Sequence, residues 1–135
     1  MRMLSLFAFM IIAAITPNVG GAVDWASPEC QKNQGAMLEC AAQNTSEADA
    51  TLNSTYQEAL KLMRTPAAAK RLRTAQRAWL AFRDSDCLVQ VGPSESGGSM
   101  YGLLWTLCME GQTRLRIAAL REILDCTEQP CPPTE

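Results

Sequence analysis

Residues 72–87 read LRTAQRAWLAFRDSDC, and this stretch determines how the rest of the chain must fold. Its apolar residues Leu72, Ala75, Trp79 and Phe82 fall within about 80° of one another when each residue turns the helix by about 100°. A stripe of this width is typical of an amphipathic helix that packs against its neighbours. The stretch therefore predicts a helical bundle in which this segment supplies one packed face.

Polar side chains share the predicted buried stripe. Gln76, Arg83 and Asp86 lie on it, whereas Arg77 and Asp84 point away. Removing one partner of a buried ion pair costs roughly 3–5 kcal/mol, so other segments must supply partners for these groups. The pattern is compatible with a structural polar network and with a ligand site built on the same residues.

Three long helices are predicted in all. They cover about residues 34–63, 66–91 and 100–125, and the second contains the stretch quoted above. Thr65 and Pro66 suit the N-cap and the first position of the second helix. Because the turn before them is very short, the first two helices must be antiparallel. The predicted fold class is all-α, an up-down-up bundle of three long helices without strands or a second domain.

Apolar spacing also predicts the packed faces of the outer helices. The face of the first helix comprises Thr45, Ala48, Leu52, Tyr56, Ala59 and Met63. The face of the third helix comprises Leu104, Cys108, Gly111, Leu115, Ala118, Ala119 and Ile123. Ser99 is predicted to cap the third helix. Residues 44–47 read NTSE, and Ser46 could be the N-cap of a new helix. The sequence is therefore compatible with a continuous first helix and with one that bends here.

Counting about 1.5 Å per residue along antiparallel helices places polar residues at matching heights. Asp49 and Arg83 share one level, which predicts an ion pair between the first two helices. Asn53, Gln76 and Arg114 share a second level, which predicts a cluster of amides and a guanidinium. These five residues form the predicted inward polar network.

Six cysteines follow the N-terminal segment: Cys30, Cys40, Cys87, Cys108, Cys126 and Cys131. An even number in an exported chain predicts three disulfides. Cys87 and Cys108 lie at similar heights, and their bridge would tether the loop between the second and third helices. Cys126 and Cys131 lie at the opposite end and are predicted to pair. Cys30 is then left for Cys40 if the chain folds back between them.

Residues 1–22 are predicted to be a cleavable secretory signal peptide. Arg2 precedes an apolar run over residues 4–15, and small residues end the segment at 20–22. The run is shorter than the roughly 20 residues that a membrane span needs, and no cysteine follows closely enough to be lipidated. We expect a periplasmic or secreted protein without a stable membrane anchor, whose residues 23–28 are loose.

Removing residues 1–22 leaves one domain over residues 23–135, with a core of about 30–125 and a Pro-rich tail over 126–135. Its 11 basic and 14 acidic residues give a net charge of −3. Nucleic acid is therefore disfavoured as a partner. The charge suits a cationic protein partner, and it also suits a role in solubility alone.

Enzymatic sites find no support in the sequence. The chain contains no histidine, which excludes Ser-His and Cys-His dyads and the usual zinc ligand sets. No Gly-x-Ser-x-Gly elbow and no phosphate-binding glycine loop is present. Asp84 and Asp86 point roughly 160° apart on a helix, so they cannot share a substrate. We predict a protein that is not an enzyme and that needs no metal or cofactor.

Residues 75–87, AQRAWLAFRDSDC, resemble the signature of the LprI-like family, small secreted bacterial helical proteins named for a lysozyme-inhibiting lipoprotein. Upstream matches are Gln34, Met37, Glu39, Cys40, Ala41, Ala48, Asp49, Leu52, Asn53 and Tyr56. Downstream matches are Gly97, Gly98, Ser99, Cys108, Thr113 and Leu115. The resemblance covers about residues 30–124. The missing lipidation cysteine is a departure from the lipoprotein.

The resemblance implies an inhibitor that binds the cleft of a cationic lysozyme-type muramidase. The candidate inhibitory loop comprises Ser94, Glu95, Ser96, Gly97, Gly98 and Ser99. Its hydroxyl and backbone N–H donors would meet the two carboxylates of the glycosidase, and surface acids would meet the enzyme's basic rim. The alternative is an envelope binding or structural module that holds a small polar ligand or an exported protein through Arg83 and Arg114.

Overall fold

A computed structural model describes residues 22–126, and in this range the chain is helical without a strand. The elements are α1 (Pro28–Gln31), α2 (Gln34–Leu62), α3 (Pro66–Val91), a 3₁₀ turn (Gly98–Met100) and α4 (Tyr101–Leu124). The three long helices confirm the all-α bundle. None of these helices is long and apolar enough to cross a bilayer. The predicted signal peptide, apart from Ala22, and the tail beyond Cys126 lie outside the described residues.

The ends of α3 follow from local chemistry. Thr65 accepts a hydrogen bond from the backbone N–H of Ala68 through Oγ1 at 3.1 Å, and Pro66 occupies the first turn. The predicted cap is therefore confirmed. Gly92, with φ at +83°, ends the helix in a conformation that only glycine adopts easily.

Of the other two long helices, α2 starts where predicted, whereas α4 lacks the predicted cap. α2 begins at Gln34 and continues through residues 44–47, so Ser46 starts no new helix. The predicted cap of α4 by Ser99 is wrong. A 3₁₀ turn precedes α4. The N-cap residue of α4 is Met100, whose side chain makes no capping hydrogen bond with the described residues. Ser99 instead accepts a hydrogen bond at its carbonyl from Nε2 of Gln34.

The core lies where the three long helices meet. Its buried cluster consists of Leu52, Ala59, Leu72, Ile117 and Leu120, with Trp79 and Tyr56 packed partly against it. The predicted face of α2 is confirmed at its central buried positions. On α3 the prediction for Phe82 is wrong, because this side chain is 55% exposed. The helix turns its polar Gln76 and Arg83 toward its neighbours and leaves Phe82 outside.

The predicted face of α4 is also wrong. Leu104 and Leu115 are 45% and 67% exposed. The buried residues of α4 are Leu103, Glu110, Thr113, Ile117 and Leu120. Polar residues can occupy the packed face because other side chains form hydrogen bonds with them. A search for the most apolar stripe therefore selects the neighbouring face.

Two of the three predicted disulfides are confirmed. Cys30 is bonded to Cys40, and Cys87 is bonded to Cys108. The pairing predicted for Cys126 involves Cys131, which lies outside the described residues.

Asn44, which is 1% exposed, anchors the N-terminal segment. Its Oδ1 accepts from the N–H of Val23, and its Nδ2 donates to the carbonyl oxygen of Val23 at 3.2 Å. The expectation that residues 23–28 are loose is therefore wrong at its first residue, because this pair of hydrogen bonds pins the segment to α2.

Candidate functional site

A polar layer made of Asp49, Arg83 and Thr113 joins the three long helices. Nη1 of Arg83 donates to Oδ1 of Asp49 at 3.4 Å and to Oγ1 of Thr113 at 3.3 Å. The hydroxyl of Thr113 lies 3.5 Å from the same carboxylate oxygen. The structure therefore brings together Asp49 and Arg83, which the sequence placed at one level, and it adds Thr113 from α4.

Arg83 is the centre of this layer. Its side chain is 13% exposed, whereas that of Asp49 is 48% exposed. Nε of Arg83 donates to Oδ1 of Asp84 at 3.2 Å, and its guanidinium lies 5.3 Å from the ring centroid of Trp79. Two carboxylates, a hydroxyl and an aromatic ring therefore compensate the mostly buried charge, as a largely desolvated guanidinium requires.

The second predicted level does not assemble. Gln76 accepts a hydrogen bond through Oε1 from Nε of Arg116 at 2.9 Å, and burial lowers the pKa of Arg116. Arg114 instead pairs with Glu110 on its own helix at 2.8 Å. Asn53 is exposed. Arg116 was missed because the predicted rotation of α4 turned Arg114 inward, although both arginines fit the height of Gln76.

The loop between α3 and α4 presents Ser94, Glu95 and Ser96 to solvent. The hydroxyl and the backbone N–H of Ser96 both donate to the carbonyl oxygen of Pro93, at 3.0 and 3.1 Å. The N–H of Gly97 donates to the carbonyl of Ser94 at 3.4 Å. Two of the predicted donors are therefore used within the loop, whereas the hydroxyl of Ser94 is not used among the described residues.

Three constraints hold this loop. The Cys87–Cys108 disulfide closes it at its roots, and Gln34 of α2 binds the backbone of Ser99. A β-carbon at Gly97 would lie 2.6 Å from the ring of Tyr101, so the backbone packs on this ring at a distance that only glycine allows. The loop is thereby fixed relative to α2 and α4.

Charge is separated along the bundle on either side of the polar layer. Residues 22–49 and 84–112, which we call the acidic end, contain Asp24, Glu29, Glu39, Glu47, Asp49, Asp84, Asp86, Glu95 and Glu110. Lys32 is the one basic residue in these two ranges, so their net charge is −8. The Cys30–Cys40 and Cys87–Cys108 disulfides and the loop belong to this end.

The opposite end has the opposite sign. Residues 50–83 and 113–126, which we call the basic end, contain Lys61, Arg64, Lys70, Arg71, Arg73, Arg77, Arg83, Arg114, Arg116 and Arg121. Their acids are Glu58, Glu122 and Asp125, so the net charge is +7. Because the helices are antiparallel, this separation is hidden in the linear sequence and becomes visible only in the folded bundle.

No group of three His, Cys, Asp or Glu side chains within residues 22–126 is arranged to hold a metal ion. The polar layer itself pairs every charged member with an opposite charge. It therefore stabilises the bundle, and it lies at the boundary between the two charged ends.

Comparisons with known proteins give a family match and a relative. A family model described as lysozyme inhibitor LprI matches residues 26–120, which include the polar layer, the loop and four of the cysteines. An uncharacterised protein of Rhizobium meliloti (strain 1021) is 34% identical over 115 residues, which are 75% of this chain and 82% of that protein. No solved structure matches the chain. Disulfides and an inhibitor family are typical of an extracytoplasmic protein. With most of its length matched by the family model, this chain belongs to the lysozyme inhibitor LprI family.

Proposed function

We propose that this protein is a periplasmic or secreted inhibitor that binds a cationic lysozyme-type muramidase through its acidic end. The observation that carries the proposal is the net charge of −8 around a loop that is fixed at both roots. A surface of one sign steers an oppositely charged partner and raises the rate of association. The description of the family as lysozyme inhibitors supplies the class of partner.

The loop is the part of the acidic end that suits the enzyme's cleft. Its residues Ser94, Glu95 and Ser96 are exposed and lie between the end of α3 and the start of α4. Glycosidases of this class use two carboxyl groups beside the scissile bond. The Ser94 hydroxyl could donate to such a carboxylate, whereas Glu95 suits a basic residue on the rim of the cleft.

Preorganisation favours this loop over a free peptide of the same sequence. Ordering a mobile side chain at an interface costs about 0.5–1.5 kcal/mol, and further backbone ordering adds to this cost. The disulfide, the Gln34 hydrogen bond and the contact of Gly97 with Tyr101 hold the loop before any partner arrives. Less of the interaction free energy is therefore lost on binding.

The role that we propose is not enzymatic. The partner's two carboxyl groups carry out the hydrolysis, and the inhibitor only needs to occupy the cleft and exclude the glycan. Charge complementarity and loop shape are sufficient for this task, because neither requires a nucleophile, a general base or a bound metal.

The direct experiment mixes purified residues 23–135 with a cationic lysozyme at equimolar concentration and follows the clearing of a cell-wall suspension. We expect slower clearing, with an inhibition that weakens as salt is added because the acidic end is screened. The same protein after reduction and alkylation of its cysteines is the control for folded structure. Undiminished clearing with the folded protein would contradict the proposed function.

A further inference from the structure

An open groove of about 480 Å³ runs between α2 and α3. Its α2 wall includes Asn53 and Tyr56, and its α3 wall includes Arg73, Gln76, Arg77 and Leu80. Most of its length belongs to the basic end, away from the loop. The groove is therefore separate from the surface that we propose for lysozyme.

Two arginines in the groove lack an opposite charge within the described part of the chain. Arg73 and Arg77 are exposed, stand one helical turn apart, and form no ion pair with any residue in the range 22–126. Like charges at this spacing repel one another and destabilise a helix. Arg83, at the end of the same groove, is already paired with Asp49 and Asp84. An anion at the Arg73–Arg77 pair would be the missing partner.

The rest of the lining supplies groups that orient an organic ligand. Gln76 is 8% exposed, and Arg116 occupies its Oε1, which leaves its amide nitrogen without a partner among the described residues. Across the groove, Tyr56 is half-buried and Asn53 is exposed. Leu80, which is 38% exposed, adds an apolar wall. A few directed polar groups on an apolar lining are typical of small-molecule sites.

The charges of the groove favour one negative group over several. Asp49, with a half-exposed carboxylate, lines the groove at the level of Arg83. Arg77 lies about 9 Å from this level along α3, since six residues separate it from Arg83 at about 1.5 Å each. A polyanion that filled the groove would meet the carboxylate of Asp49, whereas a monoanion held at Arg73 and Arg77 would not.

We propose that this groove binds a short peptide through its terminal carboxylate. The guanidinium groups of Arg73 and Arg77 receive the carboxylate, since arginine pairs with carboxylates through two parallel hydrogen bonds. The amides of Asn53 and Gln76 and the hydroxyl of Tyr56 meet the peptide backbone, and Leu80 contacts an aliphatic side chain. This inference does not depend on lysozyme inhibition.

The test titrates N-acetyl-alanyl-alanine into residues 23–135 and follows backbone amide shifts by NMR, with the C-terminal amide of the same dipeptide and inorganic phosphate in parallel. We expect saturable shifts at the groove with the acid, and at least tenfold weaker binding of the amide and of phosphate. No saturable shift with the acid at millimolar concentration would overturn the proposal. Equal binding of phosphate would overturn the assignment to a peptide.

Matched variants distinguish binding in the groove from general electrostatic attraction of the dipeptide to the basic end. Arg73→Gln with Arg77→Gln should weaken binding of the acid at least tenfold without changing the melting temperature, because both side chains are exposed. Lys61→Gln with Lys70→Gln removes the same charge from exposed positions outside the groove lining and should change binding less than twofold. Equal losses in the two variants would overturn the proposal. Lysozyme inhibition by both should match the parent, so this proposal and the proposed function can fail separately.

Discussion

Arg83 donates a hydrogen bond to Asp49 at 3.4 Å, although 34 residues separate them in the sequence. The pair stands where the acidic end of the bundle meets the basic end. It joins the last acidic residue of the acidic end, on α2, to the last basic residue of α3, and Thr113 connects both to α4. The layer therefore fixes the relative heights of the helices that carry the two charged surfaces.

The carboxylates around Arg83 should not contribute additively to stability. Asp49→Ala is expected to cost about 1–2 kcal/mol, because the carboxylate is half-exposed and Arg83 keeps Asp84 and Thr113. Asp84→Ala should cost less than about 1 kcal/mol. The double variant should lose more than the sum, because it leaves a mostly buried guanidinium without a carboxylate. Urea denaturation measures all three, and additive losses would show that Arg83 is solvated by other means.

The Gln76–Arg116 contact should behave as a coupled pair. Arg116→Met leaves a nearly buried amide oxygen without its donor and should cost about 1–3 kcal/mol. Adding Gln76→Leu removes the stranded acceptor, so the double variant should be more stable than Arg116→Met alone. Thermal unfolding of the three variants gives the coupling. A double variant that is less stable than either single one would contradict the contact.

The Cys87–Cys108 disulfide should matter for both stability and inhibition. Replacing both cysteines by alanine should cost about 3 kcal/mol in the chain-entropy picture. Inhibition measured well below the melting temperature should also weaken, because the loop loses its closure at the roots. Replacing Cys30 and Cys40 is the matched control, which should cost a similar amount of stability and keep the loop. Equal effects of the two disulfides on inhibition would argue against a role for the loop.

The loop residues should affect inhibition and not folding. Ser94→Ala, Glu95→Ala and Ser96→Ala together should weaken inhibition at least tenfold, with a melting temperature within about 2 °C of the parent, because exposed positions contribute little to stability. Ser54→Ala with Glu58→Ala, exposed on α2 in the basic end, is the control and should inhibit like the parent. Full inhibition by the loop variant would place the contact elsewhere on the acidic end.

Local chemistry made much of the fold predictable. Thr65 and Pro66 fix the start of α3, Gly92 fixes its end, and heights along antiparallel helices bring together Asp49 with Arg83 and Cys87 with Cys108. Such features depend on spacing and on turn residues, which a sequence displays directly.

The rotation of α4 could not be predicted in the same way. Its packed face contains Glu110 and Thr113, whose polar groups are satisfied by Arg114, Arg83 and Asp49. Apolar periodicity therefore pointed to the wrong stripe, and Arg114 was assigned the place that Arg116 takes beside Gln76. The anchoring of Val23 by Asn44 depends on a contact across 21 residues, for which the helix itself gives no signal.

The most direct test of inhibition through the acidic end compares two charge reversals of equal size. Glu39→Lys with Glu95→Lys changes two exposed residues of the acidic end, whereas Glu58→Lys with Glu122→Lys changes two exposed residues of the basic end. Both pairs raise the net charge equally. The measurement is the association rate constant with a cationic lysozyme at low salt. We predict a rate about tenfold slower for the acidic-end pair and within twofold of the parent for the basic-end pair. Equal rates for the two pairs, or a greater loss at the basic end, would contradict binding through the acidic end.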